Sequence, residues 1–169
     1  MTQCSEDYVK QFNSERGNDP ARSALVIIDM QNATGHPDGP LARKMKAEGN
    51  SVTEWRFERI ATHVIPNTRK LITAMRKAGG RVIYVTIGAA LPDCSDAPIH
   101  LRGFFQSLGN YEGQHAHQII DELAPEPGDP IVRKTSMGAF ASTGLDHLLR
   151  SLDLEHLFVT GVSTNMCVE

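Results

Sequence analysis

The chain has 169 residues, 40% of them hydrophobic and 22% charged, which is an ordinary composition for a globular protein of one domain. Its net charge is −3 and it contains no long basic run, which argues against nucleic acid as a partner. No stretch approaches the roughly 18 apolar residues of a membrane span, and three widely separated cysteines favour reduced thiols, hence a cytoplasmic protein without a membrane partner.

Four short apolar runs predict four β-strands. Each run is apolar throughout instead of alternating with polar residues, which is typical of strands that are buried on both faces. Glycine, lysine or aspartate follows each run closely and marks its end. The four runs are Ala24–Ile28, Arg81–Ile87, Pro130–Arg133 and His156–Thr160.

Helical patterns lie between the predicted strands. Apolar residues recur on one helical face within residues 71–78 and again within residues 145–152, where Ser142 or Thr143 can cap the first turn. A shorter helix is predicted over residues 119–123. Strands that alternate with helices form βαβ units, so the sequence predicts an α/β fold with an open, mostly parallel sheet. We expect a Rossmann-like arrangement of three layers, with helices on both faces of the sheet.

Two long stretches have no clear helical or strand pattern. Residues 33–53 follow the first predicted strand, and residues 88–118, rich in glycine, proline, aspartate and histidine, follow the second. Long loops inside a compact domain often cover binding sites. We therefore predict that these two stretches are irregular lids and that they determine which substrate is bound.

Three chemically competent side chains stand at or just beyond the ends of predicted strands. Asp29 ends the first strand, Lys134 ends the third, and Cys167 comes shortly after the fourth. Each alone is weak evidence, since most such residues cap turns, face solvent or are inert in a core. However, the carboxyl ends of parallel strands meet at one edge of a sheet, where ligands bind. The three residues therefore predict a reactive site at that edge.

Three segments of the chain, in order, carry a family resemblance. Residues 24–32 read ALVIIDMQN and are followed at 36–39 by His-Pro-Asp-Gly. Residues 128–134 end on the lysine and are followed by Gly-Ala-Phe at 138–140, and residues 160–169 read TGVSTNMCVE. Together these segments resemble the isochorismatase-like cysteine hydrolases, and especially the amidohydrolase branch that includes ureidoacrylate and carbamoylsarcosine amidohydrolases.

The resemblance implies a role for each site residue. Asp29, Lys134 and Cys167 would form a catalytic triad, and the backbone N–H groups of Ser163 and Cys167 would form the oxyanion hole. A cis peptide bond is implied between Val162 and Ser163. The substrate would be a small amide or ureido compound, and the protein would be a homo-oligomer.

The expected chemistry is nucleophilic attack by the Cys167 thiolate on an amide carbonyl. Lys134 would stabilise the thiolate, and Asp29 would accept the thiol proton and pass it to the leaving nitrogen, after which water hydrolyses the thioester. A thiolate of low pKa should react with iodoacetamide well below pH 8. Cys4 and Cys94 should not.

Five further residues are weaker candidates for substrate contacts. The resemblance places an aromatic residue in the pocket at Phe140, although a plain core position fits the sequence equally well. Arg102 can pair with a substrate carboxylate or simply be exposed. His115 and His117 can both face a pocket only on an extended chain, and a solvated loop is the alternative. The five candidates are Gln31, Asn32, Arg102, His115 and Phe140.

No cofactor or metal is expected. Zinc-binding members of the family use an Asp-x-His pair, whereas the order at residues 36–38 is His-Pro-Asp. We expect an N-terminal extension over residues 1–22 and a hydrolase domain over residues 23–169. The resemblance also implies a helix and further strands after the nucleophile, so we expect this chain to be a fragment truncated there, with its fourth strand left at an apolar edge.

Two alternatives to amide hydrolysis remain at this point. An isochorismatase-type hydrolase cleaves a vinyl ether by protonation from the aspartate and does not require the thiol. A non-catalytic isochorismatase-like domain would serve as a binding module. Ammonia release from carboxamide and ureido compounds would distinguish the amidohydrolase from both alternatives.

Overall fold

The computed structural model describes residues 17–169, so the predicted N-terminal extension lies mostly outside the described residues, as does Cys4. Four parallel strands form one open sheet in the order β3-β2-β1-β4. The strands are β1 (Ser23–Ile28), β2 (Arg81–Ile87), β3 (Ile131–Lys134) and β4 (His156–Gly161). Each predicted strand is confirmed, and each boundary agrees to within one residue. The predicted α/β class with a parallel sheet is confirmed as well.

The order of the strands reverses at β1. The chain moves outward from β1 to β2 and β3, where Ile87 pairs with Lys134, and then returns to the other side of β1 with β4. On that side Ile28 lies opposite Gly161. Such a reversal opens a crevice at the carboxyl ends of β1 and β4, the two strands on either side of the reversal, which is where open α/β sheets bind ligands. The topology thus places the crevice between the residues that follow β1 and β4.

Helices cover both faces of the sheet, which confirms the predicted layers. On one face Leu25 and Tyr84 pack with Ile72, and on the other face Val26 packs with Leu149. No described helix is both long enough and apolar enough to cross a bilayer. The helices are α1 (Pro40–Ala47), α2 (Ser51–Arg59), α3 (Ile65–Lys77), α4 (Ile99–Leu108), α5 (Ala139–Ser142) and α6 (Leu145–Ser151), followed after β4 by a single turn, Thr164–Val168.

Local signals account for only part of these helices. Helix α3 contains most of the periodic segment 71–78 and ends before Gly79, whose φ of 85° suits a glycine. Helix α6 has Gly144 as its N-cap, without a side-chain cap, so the cap predicted at Ser142 or Thr143 was wrong; the Thr143 hydroxyl accepts a hydrogen bond from the Leu145 N–H at 3.0 Å from the preceding turn. The helix predicted over residues 119–123 is wrong, because only Asp121–Leu123 forms a short 3₁₀ turn after an extended Ile120.

The two stretches predicted to be irregular contain helices. Helix α1 and the start of α2 lie within residues 33–53, and α4 lies within residues 88–118. In α4 the buried side chains of Leu101, Phe105 and Leu108 follow helical spacing. Gly103 interrupts the pattern in the sequence, yet packing of the apolar face stabilises the helix, since tertiary contacts outweigh intrinsic propensity. The prediction that both stretches are irregular was therefore wrong.

Strand β4 lies at the edge of the described sheet and pairs with β1. Its side chains Leu157, Phe158 and Val159 are 38%, 42% and 48% exposed. The expected apolar edge at the fourth strand is therefore present.

The end of β4 depends on a glycine. Gly161 has a φ of 124°, and a Cβ atom there would lie 2.1 Å from the Ile28 carbonyl oxygen. We expect Gly161→Ala to lower the free energy of unfolding by at least about 2 kcal/mol, because an L-residue is strained at this φ and the contact is with backbone. Urea denaturation measures the change. Gly103→Ala is the matched control, since its Cβ meets no atom within 4 Å. A loss no larger in Gly161→Ala than in Gly103→Ala would contradict this prediction.

Candidate active site

Asp29 is held rigidly at the carboxyl end of β1. Its N–H donates to the Val85 carbonyl at 2.8 Å, and its own carbonyl accepts a hydrogen bond from the Thr34 hydroxyl at 2.9 Å. Its φ is 53°, a left-handed conformation that aspartate tolerates better than most residues. The side chain is 97% buried. The local backbone therefore fixes the direction of a buried carboxylate at the crevice.

Lys134, the last residue of β3, supplies the positive charge. Its side chain is fully buried, and Nζ lies 3.0 Å from Oδ2 of Asp29. The ammonium also donates to the carbonyls of Ser136 at 3.2 Å and Met137 at 2.8 Å. A buried charge is tolerated when it is paired and hydrogen-bonded, so this ion pair can persist inside the domain.

The Asp29 carboxylate keeps accepting capacity for another proton donor. The Lys134 ammonium lies within ion-pair distance of Oδ2. Neither carboxylate oxygen has a hydrogen-bond partner among the residues the structure describes. Burial raises the pKa of the Asp29 carboxyl, while the charge of Lys134 acts to lower it. The buried Asp29 carboxylate is thus a stronger base than an exposed aspartate.

Cys167 lies in the turn after β4 and reaches the same place. The half-buried thiol contacts the Met137 sulfur at 3.6 Å. Burial, followed by the charge of Asp29, raises the pKa of the Cys167 thiol to about 11, and Lys134 opposes this shift. Asp29, Lys134 and Cys167 therefore interact with one another, as the sequence predicts for side chains at one sheet edge.

The low pKa expected for Cys167 was wrong. Lys134 already neutralises Asp29 and is hydrogen-bonded to two carbonyls, so its charge does not compensate the thiolate for burial and for the adjacent carboxylate. Burial and the adjacent carboxylate therefore favour the protonated thiol in the free protein.

The raised pKa of Cys167 predicts slow labelling by iodoacetamide at neutral pH. The rate at which iodoacetamide alkylates Cys167 should keep rising above pH 9, since the thiolate fraction grows until the pH passes the raised pKa. Mass spectrometry of the peptide that contains residue 167, followed over a pH series, measures this rate. Unfolded protein is the control, because its thiols should titrate near their ordinary value. A rate that reaches its plateau below pH 8 in the folded protein would contradict the raised pKa.

Asp29 and Cys167 border a cavity of about 300 Å³, and Lys134 lies buried behind Asp29. Most of the remaining cavity lining is apolar, as is usual for a small-molecule pocket. The other lining residues are Thr34, Leu41, Arg56, Ile87, Phe104, Met137, Val162, Ser163 and Met166.

The segment between β4 and Cys167 has the predicted backbone geometry. The peptide bond between Val162 and Ser163 is cis. The Cys167 N–H donates to the Ser163 carbonyl at 3.2 Å, whereas no described residue accepts a hydrogen bond from the Ser163 N–H. The oxyanion role of these two N–H groups stays a prediction.

Gln31 and Asn32 stabilise loops and do not line the cavity. The fully buried Gln31 amide donates to the His117 carbonyl at 2.7 Å and accepts from the Ile87 N–H at 2.7 Å. Asn32 donates to the His115 carbonyl at 3.0 Å. Both amides therefore join the loop after β1 to residues that follow β2.

The other weak candidates also lie outside the cavity lining. His115 belongs to a 3₁₀ turn, and the His117 ring faces the Asn110 side chain at 3.0 Å, so neither reaches the thiol. Phe140 is 57% exposed on α5. Arg102 donates to the carbonyls of Ala97 and Ser95, both at 2.8 Å, and thereby braces its own loop.

Arg56 is the cavity residue that the sequence analysis missed. It lies on α2, three residues beyond the stretch 33–53 that was predicted to be irregular, in a segment for which no helix was predicted. Its Nη2 donates to the Thr34 carbonyl at 3.2 Å and to the Ser163 hydroxyl at 3.4 Å, and its guanidinium carbon lies 4.9 Å from the centre of the Phe57 ring. Burial lowers the pKa of Arg56, and Cys167 acts in the opposite direction.

Within residues 17–169, no group of three histidine, cysteine or acidic side chains has the geometry to hold a metal ion. The expectation that catalysis uses no metal stays a prediction.

The chain matches one family model and is similar to several solved structures. The family model described as the isochorismatase domain matches residues 23–169. A cysteine hydrolase from Pseudomonas syringae pv. phaseolicola is 28% identical with a TM-score of 0.70, and the match covers 91% of this chain and 65% of that one. An isochorismatase family protein from Desulfovibrio vulgaris is 28% identical with a TM-score of 0.69, over 87% of this chain and 70% of that one.

A third similar structure is an N-carbamoylsarcosine amidase from Thermoplasma acidophilum. It is 26% identical with a TM-score of 0.60, and the match covers 87% of this chain and 71% of the amidase. The chain thus spans about two thirds of the length of the structures it matches, and slightly less than that for the Pseudomonas protein.

Proposed function

Since the chain belongs to the isochorismatase domain family, we propose that it is a cysteine-dependent hydrolase that cleaves a C–N bond of a small amide, carbamoyl or ureido compound. The observation that carries this proposal is a thiol and a buried carboxylate that line one cavity, with a buried ammonium paired to that carboxylate. The similarity to an N-carbamoylsarcosine amidase supports the choice of bond.

The first chemical step joins deprotonation to attack. The Cys167 proton moves to a carboxylate oxygen of Asp29 while sulfur bonds to the substrate carbonyl carbon, whose oxygen becomes an oxyanion. A thiol with a pKa of about 11 is a weak acid, so removal of its proton during attack avoids forming a free thiolate. The raised basicity of the buried Asp29 carboxylate favours this transfer.

The C–N bond then breaks. The oxyanion re-forms the carbonyl, the proton on Asp29 passes to the leaving nitrogen, and ammonia or an amine departs from a thioester on Cys167. Asp29 next takes a proton from water as that water attacks the thioester. Its return of the proton to sulfur releases the acid product and restores the starting state.

Lys134 stabilises negative charge throughout this cycle. Its ammonium lies 3.0 Å from the carboxylate, so it keeps Asp29 ionised before attack and compensates the negative charge that shifts towards sulfur and the oxyanion. Since Lys134 is fixed by two carbonyls, it needs no reorganisation during the reaction. The Ser163 and Cys167 N–H groups are the proposed donors to the oxyanion.

Ammonia release tests the proposal. A panel of primary carboxamides and ureido compounds is incubated with the protein, and ammonia is measured by a coupled assay. We expect turnover of at least one ureido or carboxamide compound that disappears in Cys167→Ala. Cleavage of a vinyl ether that persists in Cys167→Ala would replace the proposal with the isochorismatase-type reaction. Binding without any turnover would favour a non-catalytic module.

We also propose that the protein is a homo-oligomer located in the cytoplasm. A homo-oligomer follows from the family resemblance, and a cytoplasmic location follows from the reduced cysteines of the sequence. Size-exclusion chromatography with light scattering tests the former.

A further inference from the structure

The hydrogen-bonded ladder between β1 and β2 stops at Asp29. In a parallel pair the backbone bonds between two strands are evenly spaced. The Asp29 N–H makes its expected bond, to the Val85 carbonyl at 2.8 Å. In the observed register, the next bond would join the Ile87 N–H to the Asp29 carbonyl. That carbonyl instead accepts from the Gln31 N–H and from the Thr34 hydroxyl, both at 2.9 Å, so the chain turns out of the sheet here.

The side-chain amide of Gln31 makes the two bonds that the backbone of β1 gives up. Its Oε1 accepts from the Ile87 N–H at 2.7 Å, and its Nε2 donates to the Ile87 carbonyl at 3.1 Å. In a continued ladder these partners of Ile87 would be the Asp29 carbonyl and the Gln31 N–H. Nε2 also donates to the His117 carbonyl at 2.7 Å, and the whole side chain is buried. One side-chain amide thus replaces one peptide unit of the strand.

The break in the ladder sets the direction of the Asp29 side chain. Side chains alternate between the two faces of a strand, so an extended Asp29 would share a face with Leu25 and Ile27, which pack in the apolar core. The φ of 53° at Asp29 ends this alternation, and Met30 packs in that core instead. The Asp29 carboxylate thereby reaches the cavity wall, where it lies 3.0 Å from Nζ of Lys134.

The turn at Asp29 depends on the Gln31 amide. Without that amide the Ile87 N–H, which points towards β1, would lose its acceptor inside the domain. A buried unpaired backbone group is costly, so the Asp29 carbonyl would be favoured to return to the ladder as the acceptor. The Asp29 side chain would then turn back towards the core face and away from the cavity.

We infer that Gln31 is a positioning residue for Asp29, since its amide completes the ladder between β1 and β2 and so holds Asp29 in the turn that directs its carboxylate into the cavity. This inference rests on the proposed function for the reaction that Asp29 serves. Gln31 does not line the cavity, so it replaces the substrate contact expected from the sequence with an action through Asp29.

Kinetics of Gln31→Met test this role, because methionine has a similar length and flexibility but lacks the amide. In ammonia release from the best ureido or carboxamide compound, we expect kcat to fall by a factor of about 10 to 100 through misplacement of the base. KM should change by less than about 3-fold, since no substrate contact is removed.

Asn32→Leu is the matched control. The Asn32 amide is also buried and joins the same loop to the His115 carbonyl, but it makes no bond to β2. It should therefore keep kcat within about 3-fold of wild type per folded molecule. A loss of kcat in Asn32→Leu as large as that in Gln31→Met would show that loop anchoring in general is responsible, and would overturn the inference.

Alkylation of Cys167 reports the position of Asp29 without any turnover. Asp29 acts to raise the pKa of the Cys167 thiol, so a carboxylate that turns away should leave the thiol easier to ionise. At pH 8, the iodoacetamide rate at Cys167 should be at least about 3-fold higher in Gln31→Met than in wild type. In an Asp29→Asn background the same substitution should change the rate by less than about 1.5-fold, because the positioned charge is gone. The buried thiol of Cys94 should stay unlabelled in all four proteins, which verifies folding.

These measurements separate the role of Gln31 from the proposed function. A faster rate at Cys167 that requires Asp29 would support the inference even if no compound were hydrolysed. Equal rates in wild type and Gln31→Met, or an equal increase in the Asp29→Asn background, would overturn it even if hydrolysis were established. A rise in KM larger than the fall in kcat would also overturn it, since Gln31 would then act in substrate binding.

Discussion

Replacing Cys167 with alanine is expected to lower kcat for hydrolysis of the best ureido or carboxamide compound by a factor on the order of 10⁴ or more. The side chain contributes the only atom that bonds to the carbonyl carbon, and neither Asp29 nor Lys134 can substitute for sulfur in a thioester. The thiol is half-buried at the cavity, so the smaller alanine should be accommodated with little loss of stability.

The measurement is steady-state ammonia release by the wild-type and variant proteins. Cys94→Ala is the matched control, because Cys94 is a buried thiol that does not line the cavity, although Cys167 packs against the same hydrophobic cluster. It should keep wild-type kcat after correction for folded protein. If Cys167→Ala retained more than about a tenth of the activity, covalent catalysis by sulfur would be rejected.

Replacing Lys134 with methionine is expected to lower the free energy of unfolding by about 3 to 5 kcal/mol at neutral pH and to abolish hydrolysis. The variant leaves the Asp29 carboxylate buried without its partner, and the two carbonyls that accept from Nζ lose their donor. Denaturation in urea measures the loss. Lys70→Met, which removes an exposed lysine on α3, should change stability by less than about 0.5 kcal/mol.

The stability lost in Lys134→Met should depend on pH. The folded-state pKa of Asp29 is already raised by burial, and removal of the opposing Lys134 charge raises it further. A group with a raised folded-state pKa favours the folded protein at low pH and loses that contribution as the pH rises through the raised value. The stability difference between wild type and Lys134→Met should therefore shrink as the pH falls from about 8 to about 5.

A double variant supplies the control for this charge argument. Asp29→Asn combined with Lys134→Met removes both charges, so it should recover part of the stability while remaining inactive. A stability difference that is independent of pH, together with no recovery in the double variant, would show that lost packing and not charge causes the destabilisation.

The sheet and the convergence of Asp29, Lys134 and Cys167 could be predicted from the sequence because their signals are local. A strand buried on both faces is apolar throughout, and β1 and β2 are both almost completely buried. Asp29 and Lys134 stand where their strands end, and parallel strands have a common carboxyl edge. Once the strands were identified, their convergence followed from topology alone.

Arg56 and the ionisation state of Cys167 could not be predicted in the same way. The position of Arg56 depends on α2, whose face towards the cavity is set by contacts with distant residues such as Thr34 and Ser163. The pKa of Cys167 depends on a balance between burial, Asp29 and Lys134. A sequence shows that these groups are present, but the outcome depends on how deeply each lies and on which charge is already paired.

The adjacency of β1 and β4 links chemistry to the order in which the chain assembles. Asp29 and Cys167 are 138 residues apart in the sequence, and they meet because β4 docks beside β1. Contacts between residues so distant along a chain close late and slowly, since the loop entropy must be lost first. A refolding molecule can thus acquire its helices and the β1–β2 pair while the Cys167 thiol is still apart from Asp29. Under the proposed mechanism, a chain in which β4 has not yet docked is expected to be inactive.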